Sequence, residues 1–416
     1  MENKILNSLQ LGMLFLNGFL ISRIFIKCGI AEKTVFFFIR KSKGQLSRIL
    51  FLLLMTTAGV SMFIPNMIAI LAVLPILEIL KKDFDKIDNQ NQSINTSLAA
   101  SSLYGANLGG TGSISGSPSN LILIGFLILN NIEGSEKINL LSWFGWGIPF
   151  VFVFGIFSFL LVFYFFIPKE FRKKKIAFEK VHEHHAHYSH EKKALVLSLV
   201  SFFFWIVLSA LNLFQFKGVF FLTSILGFAW LVVFIFMVFV IPSKDPLSGL
   251  KSPILKIKDC YSNLPKKGFI ILAAAVLFSS VLVYFGIDKK LSYFISLVLP
   301  KEIHPYFLLL FLLTATIFLS EFISNTAAAI SFFIITLSVS QTVSFDPLFS
   351  LIGISIISTL PAMSPIASPV NALAYGGIKG IKMKKMVVSG FLNNLIAVIL
   401  VSLFCYFVLP FYYQSF

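Results

Sequence analysis

Long apolar runs alternate with short basic loops along almost the whole chain. The runs fall at about 5–27, 49–80, 97–130, 143–168, 194–212, 217–241, 268–286, 305–340, 345–376 and 387–410. A helix needs about 20 apolar residues to cross a hydrocarbon core of roughly 30 Å, so the pattern predicts an all-α polytopic membrane protein. Two runs, 49–80 and 305–340, are too long for one crossing and carry a polar break at the centre, Phe63-Ile64-Pro65-Asn66 and Phe322-Ile323-Ser324-Asn325. Proline removes a backbone donor and asparagine competes for backbone hydrogen bonds. Each of these runs is therefore expected to fold back as a re-entrant helical hairpin. The runs 97–130 and 345–376 are instead interrupted by stretches rich in Gly, Pro and Ser, around 109–120 and 361–371. They read as broken transmembrane helices, because non-helical backbone at membrane depth must line a cavity or lie inside protein.

The order of these features repeats. A span, a basic amphipathic stretch, a hairpin, a broken span and a plain span occur in 1–168 and again in 268–416. Local matches support a duplication: FIPN against FISN, and Ser-Pro-Ser-Asn at 117–120 against Ser-Pro-Val-Asn at 368–371. Between the two repeats lie a charged, His-rich loop, 169–193, and a connecting or scaffold unit, 194–267. If each hairpin enters and leaves on one side, 26 of the 34 Lys and Arg fall on a common side. The positive-inside rule makes that side cytoplasmic, and the two repeats then have inverted topology. Inverted repeats with matched broken helices point to a secondary transporter with its site at the repeat interface. A plasma or inner membrane location is expected, with the basic loops on the cytoplasmic side.

Composition agrees with the pattern. Of 416 residues, 57% are hydrophobic and only 12% charged, against about 45–50% and about 25% in soluble domains. The net charge of +16 resides mainly in the short loops, where it sets topology rather than binding nucleic acid. Cys28, Cys260 and Cys405 form no disulfide or zinc pattern. The first run lacks a signal-peptide cleavage site. The cluster His182, His184, His185, His187 and His190 has no cysteine partner and no regular spacing, and reads as solvated loop. An embedded enzyme is disfavoured, since the predicted spans offer no nucleophile–base pair, and no resident cofactor is expected.

The site chemistry follows from the breaks. Half-helix N-termini present N–H groups to an anion, while unwound carbonyls and Ser, Thr and Asn oxygens offer hard ligands to a cation. Glu321 is the main acid at membrane depth. It is either a hydrogen-bonding partner of the hairpin or a proton carrier, and the scarcity of such acids leans toward Na+ coupling. Gly109, Gly110 and Gly112 shape the loop or allow close packing. Asn393 and Asn394 read as packing residues.

The segments GANLGGTGSISGSPSNLI at 105–122, SEFISNTAAA at 320–329 and PIASPVNALAYG at 365–376 resemble the divalent anion:sodium symporter family of dicarboxylate, tricarboxylate and sulfate carriers. That family lies within the wider ion-transporter superfamily. The resemblance implies two Na+ sites: Ser61, Asn66 and Gly116 in the first half, and Ser320, Ser324, Asn325 and Ala367 in the second. It implies an anion site formed by Asn66, Ser117, Asn325, Thr326 and Ser368. The implied function is sodium-coupled symport of a small anion by alternating access. An arsenite-type permease or Na+/H+ antiporter on the same fold is the alternative. Partners are then the anion, Na+ and the bilayer, with 194–241 offering a homodimer surface. Two departures stand out. The first tip reads Pro65-Asn66-Met67 in place of Ser-Asn-Thr, and the resemblance implies a chain that begins inside the usual first repeat, without one or two N-terminal spans such carriers often have.

Overall fold

Each break in the apolar pattern coincides with a helix boundary. The computed structural model describes residues 2–85, 92–172, 190–212, 218–244, 249, 251–261, 303–340, 346–378 and 380–414. The span expected at 268–286, and His182, His184, His185 and His187, lie outside these residues. The first half comprises α1 (Glu2–Lys27), α2 (Ile30–Arg40), α3 (Leu46–Ser61), α4 (Asn66–Asp85), α5 (Gln92–Gly109), α6 (Pro118–Leu129) and α7 (Leu140–Phe166). Next come α8 (Glu191–Asn212), α9 (Val219–Phe239), a two-stranded antiparallel hairpin of β1 (Ser243–Lys244) and β2 (Lys251–Ser252), and α10 (Ile257–Tyr261). The last part holds α11 (Pro305–Ser320), α12 (Asn325–Ser340), α13 (Pro347–Ser358), α14 (Pro369–Gly376) and α15 (Met383–Leu403). A π-helical turn, Phe404–Val408, carries α15 into α16 (Leu409–Gln414).

Among the described residues, five helices are long and apolar enough to cross a membrane: Leu9–Lys27, Leu140–Phe166, Glu191–Asn212, Val219–Phe239 and Met383–Gln414. Their outer faces carry exposed residues such as Phe152, Phe203, Phe228 and Phe407, as expected of surfaces turned to lipid. This is a helical, integral membrane protein. Lipid tails are as apolar as leucine, so helices associate through close packing and polar contacts rather than by escaping water. The α3–α5 contact shows the first device. Gly105 and Gly109, one turn apart on α5, face α3 so closely that an added Cβ would lie 2.3 Å from the Leu54 carbonyl oxygen and 2.2 Å from that of Ala58.

The second device joins α1, α8 and α9. Gln10 donates to Thr223 Oγ1 at 2.7 Å and accepts from Asn212 Nδ2 at 2.8 Å. One level along α1, Ser201 donates to Asn17 at 2.8 Å and accepts from Trp230 Nε1 at 2.9 Å. At the end of α1, Lys27 Nζ meets Asp259 Oδ2 at 2.6 Å. Partial burial raises the pKa of that carboxyl, but hydrogen bonds from Lys27 and the Lys256 N–H outweigh it and hold it below the usual range. The His-rich loop departs from expectation at its last member. His190 is buried, with Nδ1 3.1 Å from Ser243 Oγ and Nε2 3.0 Å from Ser252 Oγ. Two hydroxyls satisfy the ring, so it is a strut between β1 and β2 rather than a solvated side chain.

Candidate functional site

Two helix hairpins and two interrupted helices meet in the core. In both hairpins the first helix ends at a serine and the second begins at an asparagine five residues on: Ser61 and Asn66, then Ser320 and Asn325. Both interrupted helices restart at Ser-Pro, with Ser117 capping α6 and Ser368 capping α14. Proline suits the first helical position because its missing N–H would have no partner there. α4 packs on α14 and α12 packs on α6, so each hairpin's second arm lies against the short helix of the other half.

The loops between the broken halves fold alike. Asn120 Nδ2 donates to the carbonyls of Gly110 (3.0 Å) and Ser113 (2.8 Å). Asn371 Nδ2 donates to those of Pro361 (3.1 Å) and Ser364 (2.8 Å). In each loop one amide gathers the carbonyls ten and seven residues before it. The halves are also cross-tied. Ser355 Oγ donates to Asn120 Oδ1 at 2.8 Å, and Asn107 Nδ2 donates to the Pro361 carbonyl at 2.8 Å and to Asn371 Oδ1 at 3.3 Å. Buried amides tied at both ends hold these unwound segments to one conformation.

The first tip is built against its loop. Ser61 Oγ lies 2.9 Å from Asn66 Oδ1 and 2.8 Å from the Ala106 carbonyl. A hydroxyl has one proton, so three oxygens converge where one hydrogen is available, an arrangement suited to a cation. Gly110 is required here, since a Cβ would lie 2.7 Å from Asn66 Oδ1. Gly116 backs onto Gly110, its added Cβ falling 2.8 Å from the Gly110 carbonyl oxygen. The structure thus brings Ser61 and Asn66 together, with Gly116 reaching them only through Gly110. Trp143 Nε1, donating to the Thr111 carbonyl at 3.0 Å, ties the same loop to α7.

The second tip is built differently. Ser320 is buried and donates to the Thr316 carbonyl at 2.8 Å. Among the described residues, the hydrogen bonds joining this tip to its loop run through Glu321. Its buried carboxylate accepts the N–H groups of Ala362 and Met363 (both 2.9 Å) on Oε1 and of Ser364 (2.7 Å) on Oε2. Asn394 Nδ2 donates to Oε1 at 2.5 Å, and Asn394 Oδ1 accepts the Ala362 N–H at 3.2 Å. Asn394, read from sequence as a packing residue, therefore belongs to the support of this loop; Asn393 accepts from Ser158 across to α7. No local pattern marks Asn394, because its partners are far away in sequence. Tyr375 completes the clamp, donating to the Met363 carbonyl at 2.7 Å. Beside this fixed loop, Asn325 Oδ1 is buried and has no hydrogen-bond partner among the described residues. Ser324 and Thr326 are half-buried, and their hydroxyls also lack protein partners there. Ala367 is buried in the loop, while Ser368 Oγ caps α14 and is turned onto Asn371 Oδ1 at 2.9 Å.

The core of this helical membrane protein holds two tip-and-loop pairs rich in oxygen atoms, and comparison with known proteins gives the family. Residues 8–409 match the sodium:sulfate symporter transmembrane region, and the chain belongs to that family. A sodium-dependent dicarboxylate transporter of Staphylococcus saprophyticus is 25% identical over 410 residues, covering 95% of this chain and 76% of that protein. An uncharacterized transporter of Haemophilus influenzae is 24% identical over 368 residues, 87% of this chain and 73% of that protein. Human solute carrier family 13 member 4 is 25% identical over 351 residues, 75% of this chain and 54% of that protein.

Proposed function

We propose that the chain is a sodium-coupled secondary symporter of a small anion, a di- or tricarboxylate or sulfate, in keeping with the dicarboxylate and sulfate named for its relatives and family. The observation that carries the reading is the buried, unpartnered Asn325 Oδ1 at the second tip. Leaving such an acceptor unpaired costs about 1–3 kcal/mol, and a hard cation such as Na+ would satisfy it. Ser320, Ser324, Asn325 and Ala367 form this cation site; Ser61, Asn66 and Gly116 form its counterpart. The anion lies between the tips, against Asn66, Ser117, Asn325, Thr326 and Ser368, where half-helix N-termini favour negative charge. Transport proceeds by alternating access, with the cores of the inverted repeats 1–168 and 268–416 moving as rigid units against the rest, a scaffold that includes 194–241. The basic loops face the cytoplasm of the plasma or inner membrane, and 194–241 is the candidate homodimer surface. The antiporter alternative loses support because both Glu321 oxygens are already engaged by backbone N–H groups.

The test is a Na+ titration of thermal stability on purified protein. Asn325→Ala is expected to raise the Na+ concentration for half-maximal stabilisation about tenfold, the equivalent of about 1.4 kcal/mol, with K+ ineffective in either form. An unchanged Na+ response in Asn325→Ala contradicts this site.

A further inference from the structure

The cations around α2 fall into two groups. Lys27 and Lys33 are paired with the carboxylates of Asp259 and Glu191. Arg40, Lys41, Lys43 and Arg48 are exposed, and among the described residues none of these four pairs with a carboxylate. The sequence holds no Asp or Glu between Glu32 and Glu78, so the turn joining α2 to α3 carries an unbalanced positive charge. The apolar stretch of α1 ends at Lys27, and α2, with 11 residues, is too short to cross a bilayer. It therefore runs along the membrane boundary. Ala31, Val35, Phe36 and Ile39 are buried against the protein, while Phe37 and Phe38 are exposed. Lys41 Nζ stands 4.4 Å from the centre of the Phe37 ring and 5.6 Å from that of Phe38. We propose that this patch binds the headgroup of an anionic phospholipid, with Arg40, Lys41 and Lys43 at the phosphate and Phe37 and Phe38 among the upper acyl chains.

Basic helices that also expose large apolar side chains lie in the plane of the interface, and their affinity adds apolar burial to attraction for anionic lipid. The phenylalanines select a lipid over a free phosphate ion, because only the lipid brings acyl chains to cover them. The turn itself favours charge over ease of folding. Lys43 has a φ of 52° and Gly44 one of 76°, and the left-handed region is uncommon for any residue but glycine. A lysine stands where a glycine would fit without strain, three residues from Arg40 and two from Lys41. The buried face of α2 shares one apolar cluster with Leu50 and Leu53 of α3 and Ile70 and Val73 of α4. A headgroup held on α2 thus braces both arms of the first hairpin.

The test follows the thermal unfolding midpoint of the purified full chain in detergent, titrated with phosphatidylglycerol, phosphatidylcholine or inorganic phosphate. Phosphatidylglycerol is expected to raise the midpoint, with the other two far weaker at equal concentration. The triple variant Arg40→Gln/Lys41→Gln/Lys43→Gln is expected to need about tenfold more phosphatidylglycerol for half the effect. The triple variant Lys192→Gln/Lys193→Gln/Lys384→Gln, which removes three exposed cations elsewhere, is expected to respond as the wild type does. Phe37→Ala/Phe38→Ala is expected to weaken the response with every charge retained. If the first triple variant does not fold, Lys43→Gly serves instead. It suits the left-handed backbone, so it is expected to unfold no lower than the wild type without lipid, yet to need at least twice the phosphatidylglycerol. Equal responses to the two lipids overturn the proposal, as does a wild-type response from the Arg40, Lys41 and Lys43 variants. Stabilisation by inorganic phosphate equal to that by phosphatidylglycerol also overturns it, in favour of a free-anion site.

Discussion

At the scale of single residues, the core is organised by a few buried amides and one carboxylate. Asn120 and Asn371 staple loop carbonyls, Asn66 completes a three-oxygen cluster, and Asn325 leaves an oxygen unpaired. These positions stood out in sequence because they recur at matched places in the two halves, each beside a helix break. Glu321 was legible only as an alternative between anchor and proton carrier, and its geometry is that of an anchor. Glu321→Gln places an amide NH2 among backbone N–H donors, so one donor must go unpaired at about 1–3 kcal/mol. The variant is expected to unfold at a lower temperature, with no change in how its activity depends on pH. A proton carrier would show the opposite result, unchanged stability and an altered pH profile of uptake.

At the scale of elements, the boundaries in the sequence pattern were recovered where Gly, Pro, Ser and Asn interrupt an apolar run. α3 stops at Ser61, α5 at Gly109, α11 at Ser320 and α13 at Ser358. What the pattern did not reveal was how the elements touch. Close packing at Gly109 and Gly110 was one of two readings the sequence left open, but which atoms they approach, and the roles of Asn394 and His190 as struts, depend on partners distant in sequence. Gly109 illustrates the consequence. A valine there would drive its Cβ into the Ala58 carbonyl and the Ser61 side chain, forcing α5 away from α3. Overpacking of this kind typically costs 1–3 kcal/mol. Gly109→Val is expected to lower the unfolding midpoint and weaken Na+-dependent stabilisation as well, because Ser61 belongs to the first oxygen cluster. A Na+ response as strong as the wild type's would show that the α3–α5 approach does not shape that cluster.

At the scale of the whole molecule, the two halves are joined where their loops meet. Ser355 reaches Asn120 and Asn107 reaches Asn371, so each loop is tied by hydrogen bonds to the other half. A polar-knit group of α1, α8 and α9 stands beside this core, touching it where Phe202 packs on Phe63 and Phe144 and where Gly18 approaches Ser115. That division suits a carrier in which a rigid core moves against a rigid support. The most direct test is uptake into proteoliposomes of labelled succinate, citrate, sulfate and a short monocarboxylate, with and without an inward Na+ gradient. The account predicts that at least one of these anions accumulates only when the Na+ gradient is present, and that accumulation ends when an ionophore dissipates it. Uptake indifferent to Na+, or no uptake of any of the four by folded protein, would contradict it.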